Sequence, residues 1–225
     1  MSVYAEEQAR GKYFFTFLLV QYLIGISRLY RKSSLVVVLT RLYLAKSLGS
    51  IYLDGVDITS CGLKVLRRSI SIIPQSPLIM PGSIRFNLDP FTSSDDSVLY
   101  DVLRKVNLSI SLHDDADQLS LGERQLLSIA RILLRTPEQR RIVLLDEPTA
   151  SIDPTTDAKI QAVMRTELKE STTITIAHRI NTIISCDKIL VMSNGRVAEF
   201  GPPGKLLENN NGIFSEMVRE SQASS

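Results

Sequence analysis

Cysteine and histidine are scarce in this chain, charge of either sign is not in excess, and no apolar run is long. Each shortage excludes something. The two cysteines, Cys61 and Cys186, show neither metal-ligand spacing nor a disulfide framework, which fits a reducing compartment. The two histidines, His113 and His178, are too few to build a histidine metal site. Net charge is +2, so bulk electrostatics make no case for nucleic acid or an acidic partner. The longest apolar run, Tyr13 to Ile26, has 14 residues, short of the ~20 that a membrane-spanning helix needs. Arg10 and Lys12 precede it as they would in a secretory leader, but no small-residue cleavage site follows. The run is expected to be a core strand or helix. No internal repeat or low-complexity tract occurs.

What is present is an ordinary globular composition, 44% apolar and 22% charged over 225 residues, enough to bury a substantial core in one large domain or two small ones. Its centre is Arg141 to Asp153. Ile142 to Leu145 is an unbroken apolar run of branched residues, the pattern of a strand buried on both faces of a parallel sheet. Asp146 and Glu147 follow at its C-terminal end and Pro148 stops it. Ligands of open α/β sheets bind at that end of the strands. Adjacent strand residues face opposite ways, so the two acids can divide metal binding and water activation between them.

The flanking pattern is mixed α/β. Lys32 to Leu44 reads as a buried helix, although Val36, Val37 and Val38 also suit a strand. Gly49 to Gly55 alternates and ends in Asp-Gly, a strand entering a tight turn. Ser69 to Ile73 is a short strand closed by Pro74 and Gln75. Val98, Leu99, Val102, Leu103 and Val106 recur at helical spacing. Ser120 and Glu123 have capping-box spacing at the start of another helix, where Gly122 allows a close approach to the backbone. Such a helix start suits an anion. Asp153-Pro154 opens a further helix whose stripe is Ile160, Val163, Met164 and Leu168. Thr172 to Ala177 is a β-branched strand followed by His178. Lys188 to Ser193 and Arg196 to Phe200 form a hairpin around Asn194-Gly195, and helices at Pro203 to Glu208 and Ile213 to Glu220 finish the chain.

Taken together, Pro74-Gln75, Leu119 to Glu123, Leu144 to Glu147, Ser151 to Asp153 and Ala177 to Arg179 resemble the nucleotide-binding domain of ABC transporters. Gly49 to Ile58 and Gly82 to Phe91 are most similar to the second such domain of the C-type (multidrug-resistance-associated) subfamily. The likeness spans about Lys32 to Ser221. Five motifs in the right order make it specific. It implies a P-loop NTPase-like ABC ATPase fold with a mainly parallel core sheet, an antiparallel β part and a shortened helical subdomain. The expected division is a divergent segment over 1–31 and the nucleotide-binding domain over 32–225, its helical subdomain at about 76–135.

The same resemblance assigns roles. It makes Glu147 the catalytic base and His178 the switch histidine at the γ-phosphate. Lys32, Ser33 and Ser34 belong to the phosphate loop, and Gln75 is the glutamine that touches Mg²⁺ and water. Ser120, Gly122 and Glu123 form the signature motif, which contacts ATP held on the opposite domain of a head-to-tail pair. Asp146 is the Mg²⁺-associated acid, and Asp153 belongs to the loop linking the two sites. ATP and Mg²⁺ are the implied ligands, with Ser33, Gln75 and Asp146 as metal donors. The implied partners are a second nucleotide-binding domain and the transmembrane domains of an exporter, which would hold the chain on the cytoplasmic side of a membrane. Nucleic acid is not implied: the DNA-clamp ATPases of the same superfamily carry a long coiled coil between phosphate loop and signature, and there is no room for one.

Four departures accompany the likeness. A phosphate loop needs Gly-x-x-x-x-Gly-Lys-Ser so that backbone amides can wrap the phosphates. Here Arg31 replaces the glycine before Lys32, Ile26 stands where the first glycine belongs, and Gly25 is one residue out of register. Leu121 and Glu123 stand where many members have glycine and glutamine, and Glu123 adds negative charge near a triphosphate. Asp114 to Gln118 replaces the usual acidic-glycine lead-in to the signature. No adenine-stacking aromatic is identifiable in Met1 to Leu23. Arg31 and the missing glycines predict weak or absent hydrolysis by the chain alone, and leave open a partner that lends its signature to another subunit's site or a truncated gene product.

Overall fold

A computed structural model describes residues 17–22, 34–42, 50–146, 152–176, 183–193 and 196–223. The apolar run near the N-terminus supplies a strand, β1 (Phe17–Tyr22). It enters the middle of a six-stranded sheet, paired in parallel with β6 (Thr172–Ile176) on one side and β7 (Ile189–Ser193) on the other. Parallel neighbours on both sides satisfy its backbone groups, which settles strand over helix.

α1 (Ser34–Leu39) is shorter than the pattern over Lys32 to Leu44. Arg41, at φ 49°, takes the left-handed conformation and ends it. Its amide and that of Leu42 reach back to Val38 O and Val37 O, the paired bonds of a Schellman cap. The hairpin of β2 (Tyr52–Leu53) and β3 (Val56–Asp57) turns on Asp54 at φ 49° and Gly55 at φ 77°. Two successive positive φ values are what a tight Asp-Gly hairpin turn demands.

α2 (Leu63–Ser69) leads into β4 (Ile70–Ile73), which pairs in parallel with β5 (Ile142–Asp146). β5 is sandwiched as its composition predicts: Val143, Leu144 and Leu145 are 0%, 2% and 2% exposed. Val143 and Leu145 join the large core built with α3 (Ile84–Leu88), α4 (Asp96–Lys105), α5 (Leu121–Leu133) and α6 (Pro154–Glu167). Leu144 joins a second core with Leu39, Ile58, Leu66 and Ile70 on the other face. Successive residues thus anchor two layers to one strand.

α4 buries Leu99, Val102 and Leu103, and Val106 follows them inside. Val98 is 45% exposed and lies off the stripe. β8 (Arg196–Gly201) runs antiparallel to β7, as the hairpin pattern predicts, and α7 (Pro203–Glu208) and α8 (Ile213–Ala223) close a third small core around Phe214 and Ile189. No helix among the described residues is long and apolar enough to cross a membrane.

Candidate functional site

The C-terminal ends of the parallel strands gather the first part of the site. Ile73 is the register partner of Leu145, so β4 and β5 end side by side, with Gln75 just beyond one and Asp146 closing the other. Asp146 in turn pairs in register with Ile176 at the end of β6. Asp146 is half-buried and Gln75 exposed. Ser34 opens α1. Lys32, Ser33, Glu147 and His178 lie outside the described residues, as does the rest of the phosphate loop before Ser34.

The second part is the start of α5. Ser120 is the N-cap and the reciprocal capping box is complete. Ser120 N donates to Glu123 Oε2 at 2.9 Å, the Ser120 hydroxyl donates to the same oxygen at 2.7 Å, and Glu123 N donates to Ser120 Oγ at 3.4 Å. Glu123 therefore folds back on the helix end and takes the hydroxyl proton that an incoming phosphate oxygen would use. The carboxylate also complements the positive end of the helix. The lead-in to this helix is firmly built despite its unusual sequence. Asp115 bridges to Ser83 across an isolated antiparallel contact, and its side chain accepts from Asp117 N at 3.0 Å. Arg124 clasps the turn by donating to Leu119 O at 2.8 Å and to Asp117 O at 2.7 Å.

Gly122 lacks a Cβ for a reason internal to the chain. A Cβ built there would lie 2.4 Å from Thr156 Cγ2 on α6. The close approach that the glycine permits is by α6. Asp153 caps α6, its Oδ1 accepting from Thr156 N at 3.0 Å. Bonding to Thr156 holds the Asp153 carboxyl below the usual carboxylate range, with burial opposing weakly. The two helix starts that carry Ser120 and Asp153 are thus locked together through Thr156.

Sequence reasoning passed over the polar groups that tie α5 to the β4 side. Gln125 is fully buried and donates from Nε2 to Pro74 O at 3.4 Å, one residue before Gln75. Arg131 donates to Leu78 O, to Asn87 O at 2.6 Å and to Asn87 Oδ1 at 2.8 Å. Arg135 donates to Ser71 Oγ at 2.7 Å and Ile70 O at 3.2 Å. Burial shifts both arginines below their ordinary pKa. The available signal was the spacing of Gln125, Ser128, Arg131 and Arg135, three, three and four residues apart along α5 and just past its end.

A protein-family model described as "ABC transporter" matches residues 32–150. The chain is 43% identical over 200 residues to "ABC transporter C family member 12" of Dictyostelium discoideum, covering 84% of this chain and 15% of that protein. It is 43% identical over 188 residues to "Multidrug resistance protein fer6" of Mycosarcoma maydis, covering 81% and 14%. It is 42% identical over 202 residues to "Probable multidrug resistance-associated protein lethal(2)03659" of Drosophila melanogaster, covering 84% and 14%.

Proposed function

The chain belongs to the ABC transporter family, and from that premise we propose that it is the ATP-binding and ATP-hydrolysing domain of an ABC-type exporter that pairs head-to-tail with a second such domain. The observation that carries this reading is the alignment of Gln75 and Asp146 at the ends of paired parallel strands; the completed cap at Ser120 supports the signature assignment separately. The chain spans about 15% of the length of the relatives it matches, so the transmembrane domains and membrane location belong to this proposal too. So does the division into 1–31 and 32–225 with a helical subdomain over 76–135.

Ser33, Gln75 and Asp146 offer hydroxyl, amide and carboxylate oxygens, a hard donor set that fits Mg²⁺ when triphosphate oxygens complete its shell. Bound there, Mg²⁺ would neutralise charge on the phosphates. Glu147 takes a proton from the attacking water, and His178 and Lys32 stabilise charge on the γ-phosphate. Ser120 and Gly122 act on the nucleotide of the opposite domain. Asp153 joins the two sites.

Arg31 and the missing glycines limit the chain's own site, so the purified chain is expected to hydrolyse Mg-ATP no faster than its Glu147→Gln variant. After Ile26→Gly and Arg31→Gly the rate should rise above that of the corresponding Glu147→Gln variant. Robust turnover by the natural chain, abolished by Glu147→Gln, would contradict the impaired loop. A repaired chain that stays inactive with a complementary domain present would contradict the ATPase reading.

A further inference from the structure

The surface turn between α3 and α4 carries chemistry that nucleotide binding leaves unused. It reads Asp89-Pro-Phe-Thr-Ser-Ser-Asp-Asp96, with acidic residues two and three positions after Ser93. Ser93 is exposed, and Asp89 is only 7% exposed. The Ser93 hydroxyl donates to Asp89 Oδ1 at 2.9 Å, and Ser94 N donates to Asp89 Oδ2 at 2.7 Å. Burial pushes the Asp89 carboxyl up, but the hydroxyl and amide bonds from Ser93 and Ser94 outweigh it and hold the group low. Asp89 is therefore the ionised hub of the turn. Arg85 faces the same turn, donating to Asp96 Oδ1 at 2.8 Å and to Ser94 O at 3.2 Å. At the crest Phe91 is 89% exposed and Thr92 has φ 52°.

We propose that Ser93 is a phosphorylation site for an acidophilic serine/threonine kinase, and that its phosphate opens the Asp89 turn. An accessible serine in a loop with carboxylates at the second and third following positions suits a kinase whose substrate groove is basic. The γ-phosphoryl group of the kinase's ATP passes to Ser93 Oγ. The bond to the ADP leaving group breaks, and the hydroxyl proton goes to the kinase's base. The product has no hydroxyl donor for Asp89 Oδ1 and places about two negative charges beside a buried carboxylate. It also competes with Asp96 for Arg85. The repulsion frees Ser94 N from Asp89 and changes how Phe91 is presented. Any consequence for docking a membrane partner rests on the function proposed above; the modification and the opening of the turn do not.

The test treats the folded full chain with Mg-ATP and a casein-kinase-type acidophilic kinase, maps the phosphate by mass spectrometry and follows amide exchange at Ser94. Phosphate is expected on Ser93, absent in Ser93→Ala, retained in Thr92→Val and formed at least tenfold more slowly in Asp96→Asn. Exchange at Ser94 should accelerate at least tenfold on phosphorylation, and by less in unmodified Ser93→Ala, which loses the bond without adding charge. Phosphate on Thr92 alone, none on the turn, or unchanged Ser94 exchange after stoichiometric modification would overturn the proposal.

Discussion

Arg131→Met should destabilise the domain by on the order of 3 kcal/mol, because hydrogen bonds from charged groups contribute about 1.5–3 kcal/mol each and their loss strands the two acceptors of buried Asn87. The arginine donates to two backbone carbonyls, Leu78 O and Asn87 O, and to the side-chain oxygen of Asn87. Methionine preserves much of the aliphatic stem but none of the donors. Asn87 is 1% exposed, and its amide nitrogen and oxygen are already spent on Met80 O and Met80 N. Asn87 O therefore has no ready substitute for the guanidinium, and water has little access to it. The same contacts hold the segment after Gln75 against α5, the helix whose start carries Ser120. The damage should therefore appear first as faster amide exchange over residues 76–88. Denaturant unfolding of Arg131→Met, Asn87→Ala and the double variant measures the effect. Because the two residues form one network, the double variant should lose at least 1 kcal/mol less than the sum of the singles. Additive losses would show that they act separately.

Gly122→Ala should destabilise by about 2 kcal/mol, within the 1–3 kcal/mol that overpacking costs, although alanine is ordinarily the better helix former by about 1 kcal/mol. The new methyl would stand 2.4 Å from Thr156 Cγ2, well inside contact distance. Thr156 has little freedom to yield, since it is β-branched and its amide is fixed by Asp153 Oδ1 at 3.0 Å. Removing the opposing methyl should remove the penalty: with Thr156→Ala in place, the nearest fixed atom is Thr156 Cβ at 3.6 Å, and Gly122→Ala should cost close to nothing. Denaturant unfolding of the four-member cycle reads the coupling. An equal loss in both backgrounds would mean that Gly122 serves backbone conformation rather than packing against α6.

The elements legible in the sequence are those whose local chemistry and tertiary setting agree. Ile142 to Leu145 reads as a doubly buried strand and is one, because the apolar run finds a core on each face. Ser120 and Asp153 read as caps and are caps, since a cap is made by residues three apart. The 14-residue apolar run over Tyr13 to Ile26 is ambiguous in sequence because its hydrophobicity lacks a period; in its described part, Phe17–Tyr22, only pairing with β6 and β7 decides for a strand. Gly122 was legible as a close approach but not as one made by α6, because Thr156 is 34 residues away in sequence. Gln125, Arg131 and Arg135 were not singled out at all. Their partners, Pro74, Asn87 and Ser71, lie between 44 and 64 residues away. Glu123 reads from its spacing as the second half of the capping box, and its carboxylate is engaged with Ser120 as that spacing predicts.

That engagement bears on the proposed pairing of domains. A phosphate approaching Ser120 must displace a carboxylate that already holds both the hydroxyl and the backbone amide. The signature end is therefore structurally complete and electrostatically guarded. On the other side, the proposed impairment of the chain's own phosphate loop rests on Arg31 and Ile26 standing where the motif has glycine. Both features point to weak nucleotide contact on a sound framework.

The central claim, an ABC nucleotide-binding domain with an intact framework and an impaired phosphate loop, is tested most directly by calorimetric titration of Mg-ATP into two proteins: the natural chain and its Ile26→Gly, Arg31→Gly variant. The account predicts binding at least tenfold tighter after repair, with the Asp146→Asn change weakening it again. Tight binding by the natural chain, unchanged by the repair, would contradict the impaired loop, and no binding by a folded repaired chain would contradict the nucleotide site itself.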